Sequence, residues 1–386
     1  MRQVYFDNNA TTPVLPEVFE AMRPYLLEQY GNASSIHSHG QAARAAVERA
    51  RRSVAKLLGC RASEVVFTSG GTEADNLALF GILAQGDHLI TSSIEHHAVL
   101  HAAKRLDELG SSVTYVPVDS CGLVDPDDVR RALRPATKLI SIMMANNETG
   151  VLQPVVEIGK IAQEAEVYFH VDAVQAAAKV PLDVTRIACD LLSISGHKIH
   201  APKAVGAIYV RKGTFLRPML FGGSHERSLR AGTENVPGIV ALGRAAEIAA
   251  EGLQNGSLEK IGELRDRFER GILTHVDGTG VNGAGAARVA NTANIYFDCL
   301  DAEALVIALD LKGLAVSTGA ACSSGATERS HVLSAMGLAP DRARSSIRFS
   351  LGKHNTDDDV DYALSVIPET VARLRELSPV TRASLE

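Results

Sequence analysis

The 386-residue sequence has no apolar run of 18 or more residues and no surplus of basic residues. A membrane-spanning helix needs such a run, so we expect no transmembrane segment. Lysine and arginine number 39 against 45 acidic residues, and the net charge of −6 disfavours a nucleic-acid or anionic-membrane surface. The first residues, MRQVYFDNNATTP, contain no apolar stretch followed by a cleavage pattern, so secretion is not expected.

Cysteine is scarce and scattered. The five cysteines are Cys60, Cys121, Cys189, Cys299 and Cys322, and none forms a C-x-x-C pair. This pattern disfavours a disulfide framework and a structural zinc site, and it fits a reducing, cytoplasmic compartment. Cys189 lies in an apolar strand, where a small core residue is the expected role.

The central part of the chain alternates β-rich runs with segments of helical periodicity. Seven runs between residues 64 and 210 are predicted strands: EVVFTS, HLITSS, SVTYVPV, KLISIMMAN, VYFHVDA, DLLSIS and VGAIYV. This alternation predicts an α/β fold whose large domain contains a mostly parallel seven-stranded sheet flanked by helices. Ligands of such sheets bind at the carboxyl ends of the strands.

The chain length favours two or three domains. We predict a large domain over residues 15–256, and a smaller α+β domain over residues 1–14 and 257–386. Residues 211–238 lose periodicity and are rich in Gly, Arg and Ser, which indicates a long functional loop.

Two motifs carry no function in this interpretation. GTGVNG at 278–283 matches G-x-G-x-x-G but does not lie between a strand and a helix, so it is predicted to be a turn. His97 and His101 are four residues apart on a predicted helix, but no third metal ligand accompanies them, so exposed helical histidines are the preferred interpretation.

Polar groups follow several predicted strands. EVVFTS leads into GGTEADN, where two glycines, a helix N-terminus and Thr72 suit a phosphate, although a plain tight turn fits the same residues. VYFHVDA delivers Asp172, and DLLSIS is followed by Lys198, whose amine becomes a usable nucleophile when desolvated. A phosphate cradle, a carboxylate and an amine at one sheet edge are what pyridoxal phosphate requires.

The ordered motifs resemble a known family. They are YFDNNATTP, GNASSIHSHG, TSGGTEADN, EHHAVL, NNETGVLQP, HVDAVQ, SGHKIHAPKAVG, HERSLRAGTEN, STGAACSSG and SSIRFSLG. Together they resemble the cysteine desulfurases of the NifS/IscS type, in the class-V aminotransferase group of fold-type-I pyridoxal-phosphate enzymes. The resemblance implies removal of sulfur from L-cysteine, which leaves L-alanine and a persulfide for iron–sulfur cluster assembly or another sulfur transfer.

The resemblance also implies roles for single residues. Lys198 attaches the cofactor covalently, His96 stacks on its ring, and Cys322 is the nucleophile that accepts sulfur. The implied cofactor-binding residues are Lys198, Gly71, Thr72, His96, Asn147, Asp172, Gln175, Ser195, His197 and Thr233. Thr233 is implied to reach the phosphate in a neighbouring subunit, which implies a homodimer.

Within that set, Asp172 and Gln175 are implied to contact the pyridine nitrogen and the ring hydroxyl. Asn147 and Arg348 are implied to bind the substrate carboxylate, because a guanidinium pairs with a carboxylate bidentately. The implied phosphate ligands are Gly71, Thr72, Ser195 and His197. No resident metal is expected, although Cys322 could transiently share a cluster with an iron–sulfur scaffold partner.

Cys322 lies among small residues with little bulk to pin it, which suits a thiol that must reach both a substrate and an acceptor. Two positions depart from the family pattern: Ala321 replaces a hydroxyl residue and Ala204 replaces glycine, and neither carries a proposed chemical role.

Alternatives on the same scaffold are a selenocysteine lyase or other β-eliminating enzyme, an aminotransferase, and a non-catalytic assembly component. The sulfur acceptor stays open.

Overall fold

The computed structural model describes residues 2–319 and 329–377. Its strands are β1 (Val4–Tyr5), β2 (Val65–Thr68), β3 (His88–Ser92), β4 (Ser112–Val116), β5 (Thr137–Met143), β6 (Tyr168–Asp172), β7 (Leu191–Ser195), β8 (Gly206–Val210), β9 (Thr279–Val281), β10 (Thr292–Phe297), β11 (Leu314–Ala315) and β12 (Ser346–Ser350). Its helices are α1 (Pro16–Leu27), α2 (Ser38–Leu58), α3 (Gly71–Ile82), α4 (His97–Glu108), α5 (Pro126–Ala132), α6 (Val155–Glu164), α7 (Val184–Ile187), α8 (Val236–Gly252), α9 (Ser257–His275), α10 (Ala302–Asp310), α11 (His331–Ala335), α12 (Pro340–Arg344) and α13 (Asp357–Leu377). None of these helices, over the residues described, is both long enough and apolar enough to cross a membrane.

A seven-stranded sheet contains every strand predicted between residues 64 and 210. Its order is β2-β8-β7-β6-β5-β3-β4, and β8 runs antiparallel to both of its neighbours while the other pairs are parallel. Strands β7 and β8 are buried along their whole length, because helices cover both faces of the sheet. The predicted α/β fold with a mostly parallel sheet is confirmed, and the carboxyl ends of β5, β6 and β7 meet at one edge.

A second hydrophobic core forms around the antiparallel strands β9, β10 and β12. Phe6, Phe268 and Phe349 pack there, with ring centroids 5.6 Å apart for Phe6 and Phe268 and 4.8 Å for Phe268 and Phe349. Phe6 belongs to the N-terminal segment, and β1 pairs in parallel with β11. The amino-terminal residues therefore contribute to this core, while the domain boundaries given above stay a prediction.

The prediction of a turn at GTGVNG is wrong in part. Residues Thr279–Val281 form β9, which pairs antiparallel with β10, and the turn follows at residues 282–285. A three-residue edge strand that contains glycine has little local signal, because its pairing is decided by the neighbouring strand.

A buried ion pair anchors the long loop that precedes α8. The Arg51 guanidinium on α2 donates to both carboxylate oxygens of Glu226, at 2.7 and 2.8 Å, and the Phe67 backbone N–H donates to the same carboxylate at 2.9 Å. Glu226, Arg227 and Ser228 are consecutive residues with left-handed φ angles of 44°, 57° and 65°. The ion pair holds this unfavourable backbone against α2 and β2.

We expect Glu226→Ala to lower the free energy of unfolding by about 3–5 kcal/mol, because Arg51 loses its buried partner and keeps only the exposed carboxylate of Glu48. Glu48→Ala is the matched control, since Glu48 contacts the same guanidinium but its side chain is 45% exposed. The control should cost less than about 1 kcal/mol. Urea unfolding of the two variants measures the difference, and equal losses would contradict the assigned role of the ion pair.

Candidate active site

A cavity of about 340 Å³ opens at the carboxyl ends of β5, β6 and β7. It is lined by Asn9, Ala10, Gly71, Thr72, Asp75, His96, Met143, Ala145, Asn147, Asp172, Val174, Gln175, Ser195, His197, Lys198, Gly319 and Arg348. The structure thus brings together every predicted site residue except two. Thr233 is exposed in the loop before α8 and does not line this cavity, and Cys322 lies outside the described residues.

One end of the cavity is formed by the N-terminus of α3. A Cβ atom on Gly71 would lie 2.7 Å from Cγ2 of Val174, so glycine is required where the helix packs against the segment after β6. The first N–H groups of a helix lack intrahelical partners and carry partial positive charge. With the hydroxyls of Thr72 and Ser195 beside them, these groups are suited to hold a phosphate.

His197 lies at the same end of the cavity. Its Nδ1 is 3.2 Å from Oγ1 of Thr11. Burial, followed by the charges of Lys198 and Lys203, lowers the pKa of His197 to about 4. The ring is therefore uncharged at neutral pH and offers hydrogen bonding rather than charge to an anion.

Two carboxyl groups form the floor of the cavity. Burial raises the pKa of Asp172 to about 6, while the Val174 N–H, at 2.9 Å, and the charge of Lys198 act in the opposite direction. Burial and the charge of Asp172 raise the pKa of Asp75 well above its usual value, and Asp75 lies 3.6 Å from the uncharged ring of His170. Asp172 is thus the carboxyl that ionises, and Asp75 is the one that keeps its proton.

Lys198 follows β7 in a single turn of 3-10 helix, residues 196–198. Its ammonium donates to the backbone carbonyls of Asn9 and Ala10, the latter at 2.9 Å. The turn places the amine at the sheet edge, close enough to lower the pKa of His96 by its charge. The amine that the sequence singled out therefore lies in the same cavity as the phosphate site and Asp172.

His96 immediately precedes α4 and caps it. Its Nδ1 accepts a hydrogen bond from the Ala98 backbone N–H at 3.1 Å, which leaves the ring proton on Nε2. Burial, with a smaller effect from the Lys198 charge, lowers the pKa of His96 to about 4. A neutral ring with a fixed tautomer is suited to stacking and to accepting a proton.

Arg348 on β12 reaches the cavity from the second core. Its Nη2 bonds to Oδ1 of Asp7 at 2.8 Å, and Nη1 donates to the Asn147 carbonyl at 3.1 Å. The residue is 3% exposed, and its Nε has no hydrogen-bond partner among the described residues. A buried guanidinium with an unused donor is prepared to bind an anion.

The residues present fit pyridoxal phosphate. The α3 N-terminus and the nearby hydroxyls match its phosphate, Asp172 matches a protonated ring nitrogen, and Lys198 supplies the amine. Two structural signs of a binding site are the close approach of Gly71 to Val174 and the Nε of Arg348, which has no partner among the described residues. No group of three or more histidine, cysteine or acidic side chains within residues 2–319 and 329–377 is arranged to hold a metal.

Comparison with known proteins identifies the family. Residues 4–363 match the model of the aminotransferase class-V family, so the chain belongs to that family and is a pyridoxal-phosphate-dependent enzyme. The chain is 50% identical over 384 residues to "Cysteine desulfurase IscS" of Methanosarcina thermophila, covering 98% of this chain and 95% of the relative. In structure it is similar to a NifS-like protein, with a TM-score of 0.91, 40% identity and coverage of 97% of this chain and 100% of the other.

A further solved structure, that of SspA in complex with cysteine, matches with a TM-score of 0.81 and 35% identity, and covers 92% of this chain and 100% of that one. The sequence predictions of the family, the fold class and the cofactor are confirmed by these findings. The individual roles assigned to cavity residues stay predictions.

Several cavity residues were not predicted from the sequence. Asn9 and Ala10 accept hydrogen bonds from Lys198, Asp7 pairs with Arg348, and Asp75 lies beside Asp172. Asp75 carried one usable signal, since it follows Thr72 by three residues and so lies on the same side of α3. The N-terminal residues carried no such signal in the sequence, because their closeness to the cavity depends on tertiary packing.

A buried glutamate, Glu95, contacts Met143 in the wall of the cavity. Oε1 of Glu95 accepts hydrogen bonds from the Ser92 hydroxyl and, at 3.0 Å, from the Met143 N–H. Its Oε2 has no partner in the described part of the chain. Burial raises the pKa of Glu95 from 4.5 to about 8, so the carboxyl is neutral at pH 7.

We expect Glu95→Gln to stabilise the protein at pH 8.5 by at least about 1 kcal/mol and to be near neutral at pH 5.5. The unfolded carboxyl ionises near pH 4.5 and the folded one near pH 8, so rising pH between these values favours unfolding of the parent but not of the amide. Denaturant unfolding at both pH values measures the effect. Glu108→Gln is the control at an exposed position, and it should change stability by less than about 0.5 kcal/mol at either pH. The prediction is contradicted if Glu95→Gln and the parent differ in unfolding free energy by the same amount at both pH values.

Proposed function

We propose that the protein is a cysteine desulfurase, which transfers the sulfur of L-cysteine to Cys322 and releases L-alanine. The observation that carries the proposal is one cavity that holds the Lys198 amine, the Asp172 carboxylate and the Arg348 guanidinium and that is also lined by Gly319. Three residues lead from Gly319 to Cys322, and three extended residues span at most about 10 Å. The names of the relatives support the same activity.

The substrate carboxylate is bound by Arg348 and Asn147. Nε of Arg348 has no partner among the described residues, and Nη2 carries two N–H groups of which Asp7 accepts one, so the guanidinium can offer two donors to a carboxylate. Such a bidentate charge-assisted contact orients the amino acid, so that its α-carbon faces Lys198.

Proton transfer is assigned to Lys198 and His96. Lys198 removes the α-proton and later returns a proton to carbon, while neutral His96 accepts the proton of the substrate thiol. When bound, pyridoxal phosphate supplies the electron sink that makes the α-proton acidic. Asp172 lies at the floor of the cavity, and its negative charge would pair with the protonated ring nitrogen of the cofactor.

Sulfur transfer is assigned to the Cys322 thiolate. The thiolate attacks the substrate sulfur, a new S–S bond forms, and the C–S bond breaks with its electron pair left on the carbon skeleton, which becomes alanine after protonation. A free thiol is only a few per cent ionised at pH 7, so the reaction depends on the small fraction of thiolate or on a local base.

We also propose that the enzyme is a homodimer in the cytoplasm that passes sulfur to an iron–sulfur scaffold or another acceptor protein. The exposed position of Thr233, outside the cavity of its own chain, supports a contact with the cofactor of a second subunit. The name IscS that these relatives carry supports an iron–sulfur scaffold as the acceptor.

We expect Cys322→Ala to retain bound pyridoxal phosphate but to release sulfide and alanine from L-cysteine at least about 100-fold more slowly, because the nucleophile is absent. Cys299→Ala is the matched control, since Cys299 is an exposed free cysteine outside the cavity. Sulfide and alanine assays with cofactor absorbance measure both properties. Turnover of Cys322→Ala at the parental rate would overturn the nucleophile assignment, and a parent without activity on L-cysteine would overturn the proposed function.

Arg348→Lys should lower kcat/KM for L-cysteine by roughly 10–100-fold, mainly through KM, because lysine keeps the charge but loses the bidentate geometry. Arg342→Lys is the matched control, since Arg342 pairs with Asp298 at the surface. Steady-state kinetics with both variants measures the effect. Equal losses in the two variants would show that Arg348 does not bind the carboxylate.

A further inference from the structure

Lys179 is a half-buried lysine with no role in the proposed mechanism. It follows Gln175 by four residues, and its Nζ donates to Oε1 of Gln175 at 2.6 Å and to Oδ1 of Asn9 at 2.9 Å. Lys179 does not line the active-site cavity but lines a second cavity of about 200 Å³, which shares Lys198 with the first. Gln175 therefore lies between Lys179 and the active site.

The Asn9 side chain has its orientation fixed by other groups. Its Nδ2 donates to Oγ1 of Thr292 at 2.9 Å and to the Asn147 carbonyl at 3.2 Å. Its Oδ1 also accepts from Nδ2 of Asn291 at 3.0 Å. The oxygen of this amide is therefore turned toward Lys179, and the lysine meets two oxygens that both require a donor.

The orientation of the Gln175 amide follows. An amine facing two oxygens donates to them, so the carbonyl oxygen of Gln175 points to Lys179 and its NH₂ group points away. One N–H of that group donates to the Asn9 backbone carbonyl at 2.9 Å, and Gln175 is only 5% exposed. Gln175 also lines the active-site cavity, so the second N–H of the same group is the donor left for a molecule bound there.

We propose that Lys179 is a positioning residue that fixes Gln175 so that it presents an N–H group, and not its carbonyl oxygen, to the ring oxygen of pyridoxal phosphate. The proposal rests on the assignment of Gln175 to the ring hydroxyl, but not on the sulfur chemistry. An N–H donor stabilises the anionic form of that oxygen, whereas a carbonyl oxygen would repel it. Lys179 thereby acts on the cofactor through a neighbouring side chain.

The competing explanation is that the charge of Lys179 acts directly on the cofactor. Lys198 and Arg348 are the cations that act on Lys179, and burial together with their charges lowers the pKa of Lys179 well below its usual value. His200 lies in the same cavity wall. If an ammonium at residue 179 acted on the cofactor through space, its effect would not require Gln175.

The test is a pH titration of the absorbance of the bound cofactor in the holoenzyme. In Lys179→Met the Gln175 amide loses the donor to its carbonyl oxygen and is oriented only by the Asn9 carbonyl, so its N–H group is held less firmly. The pH at which the cofactor absorbance changes should then rise by about half to one unit, the equivalent of one hydrogen bond. Lys179→Arg should restore the parental transition, since the second cavity has room for the larger donor. An unshifted transition in Lys179→Met would overturn the proposal.

A double-mutant cycle separates positioning from direct charge. If Lys179 acts through Gln175, the transition in Lys179→Met combined with Gln175→Met should coincide with that of Gln175→Met alone. Additive shifts would show a direct electrostatic effect and overturn the proposal.

If Lys179→Met fails to fold or to hold the cofactor, as judged by thermal unfolding of the apoprotein and by cofactor content, Lys179→Gln replaces it. This variant keeps a donor but has no charge, so positioning predicts a transition within about 0.2 units of the parent and a charge effect predicts a shift. None of these readouts uses sulfide release. A parent that binds the cofactor but lacks desulfurase activity would overturn the proposed function and leave this inference standing.

Discussion

The backbone carbonyl of Asn9 accepts hydrogen bonds from Gln175 and Lys198, and the arrangement of the candidate site depends on where this carbonyl lies. Its position is set from both sides. The Asn9 N–H donates to Oγ of Ser350 on β12, and the Asn9 side chain donates to the Asn147 carbonyl after β5. The N-terminal segment thus joins the seven-stranded sheet to the second core beside the cavity. Arg348 of the second core and Lys198 after β7 line this same cavity.

Burial determines the protonation of the groups around this junction. Desolvation keeps His96 and His197 uncharged and keeps a proton on Glu95, because each charged form would lose its water. Asp172 ionises more readily than its neighbour Asp75 because it faces Lys198 and accepts a backbone N–H. The cavity therefore combines a few ionised side chains with neutral hydrogen-bonding groups. This combination suits a cofactor that carries its own phosphate and ring charges.

The large sheet was predictable because its strands are buried on both faces and so appear as nearly continuous apolar runs. The polar residue after each run was visible for the same reason, as with Asp172 after β6 and Lys198 after β7. Strand β9 was missed, since three residues that include glycine show no period of their own. The contribution of Asp7 to the site was missed too, because its partner Arg348 lies more than 300 residues along the chain.

The amino-acid sequence was enough to predict the family, the fold class and the chemical groups present: an amine, a carboxylate, a glycine-rich helix N-terminus and a thiol among small residues. These follow from local patterns and ordered motifs, which do not depend on how distant segments pack. Three contacts became visible only in the folded chain: Asn9 accepts from Lys198, Lys179 donates to Gln175, and Nε of Arg348 has no partner among the described residues. Contacts of this kind depend on the packing of one sheet against another, and no local propensity encodes the distance between residues that are far apart in the chain.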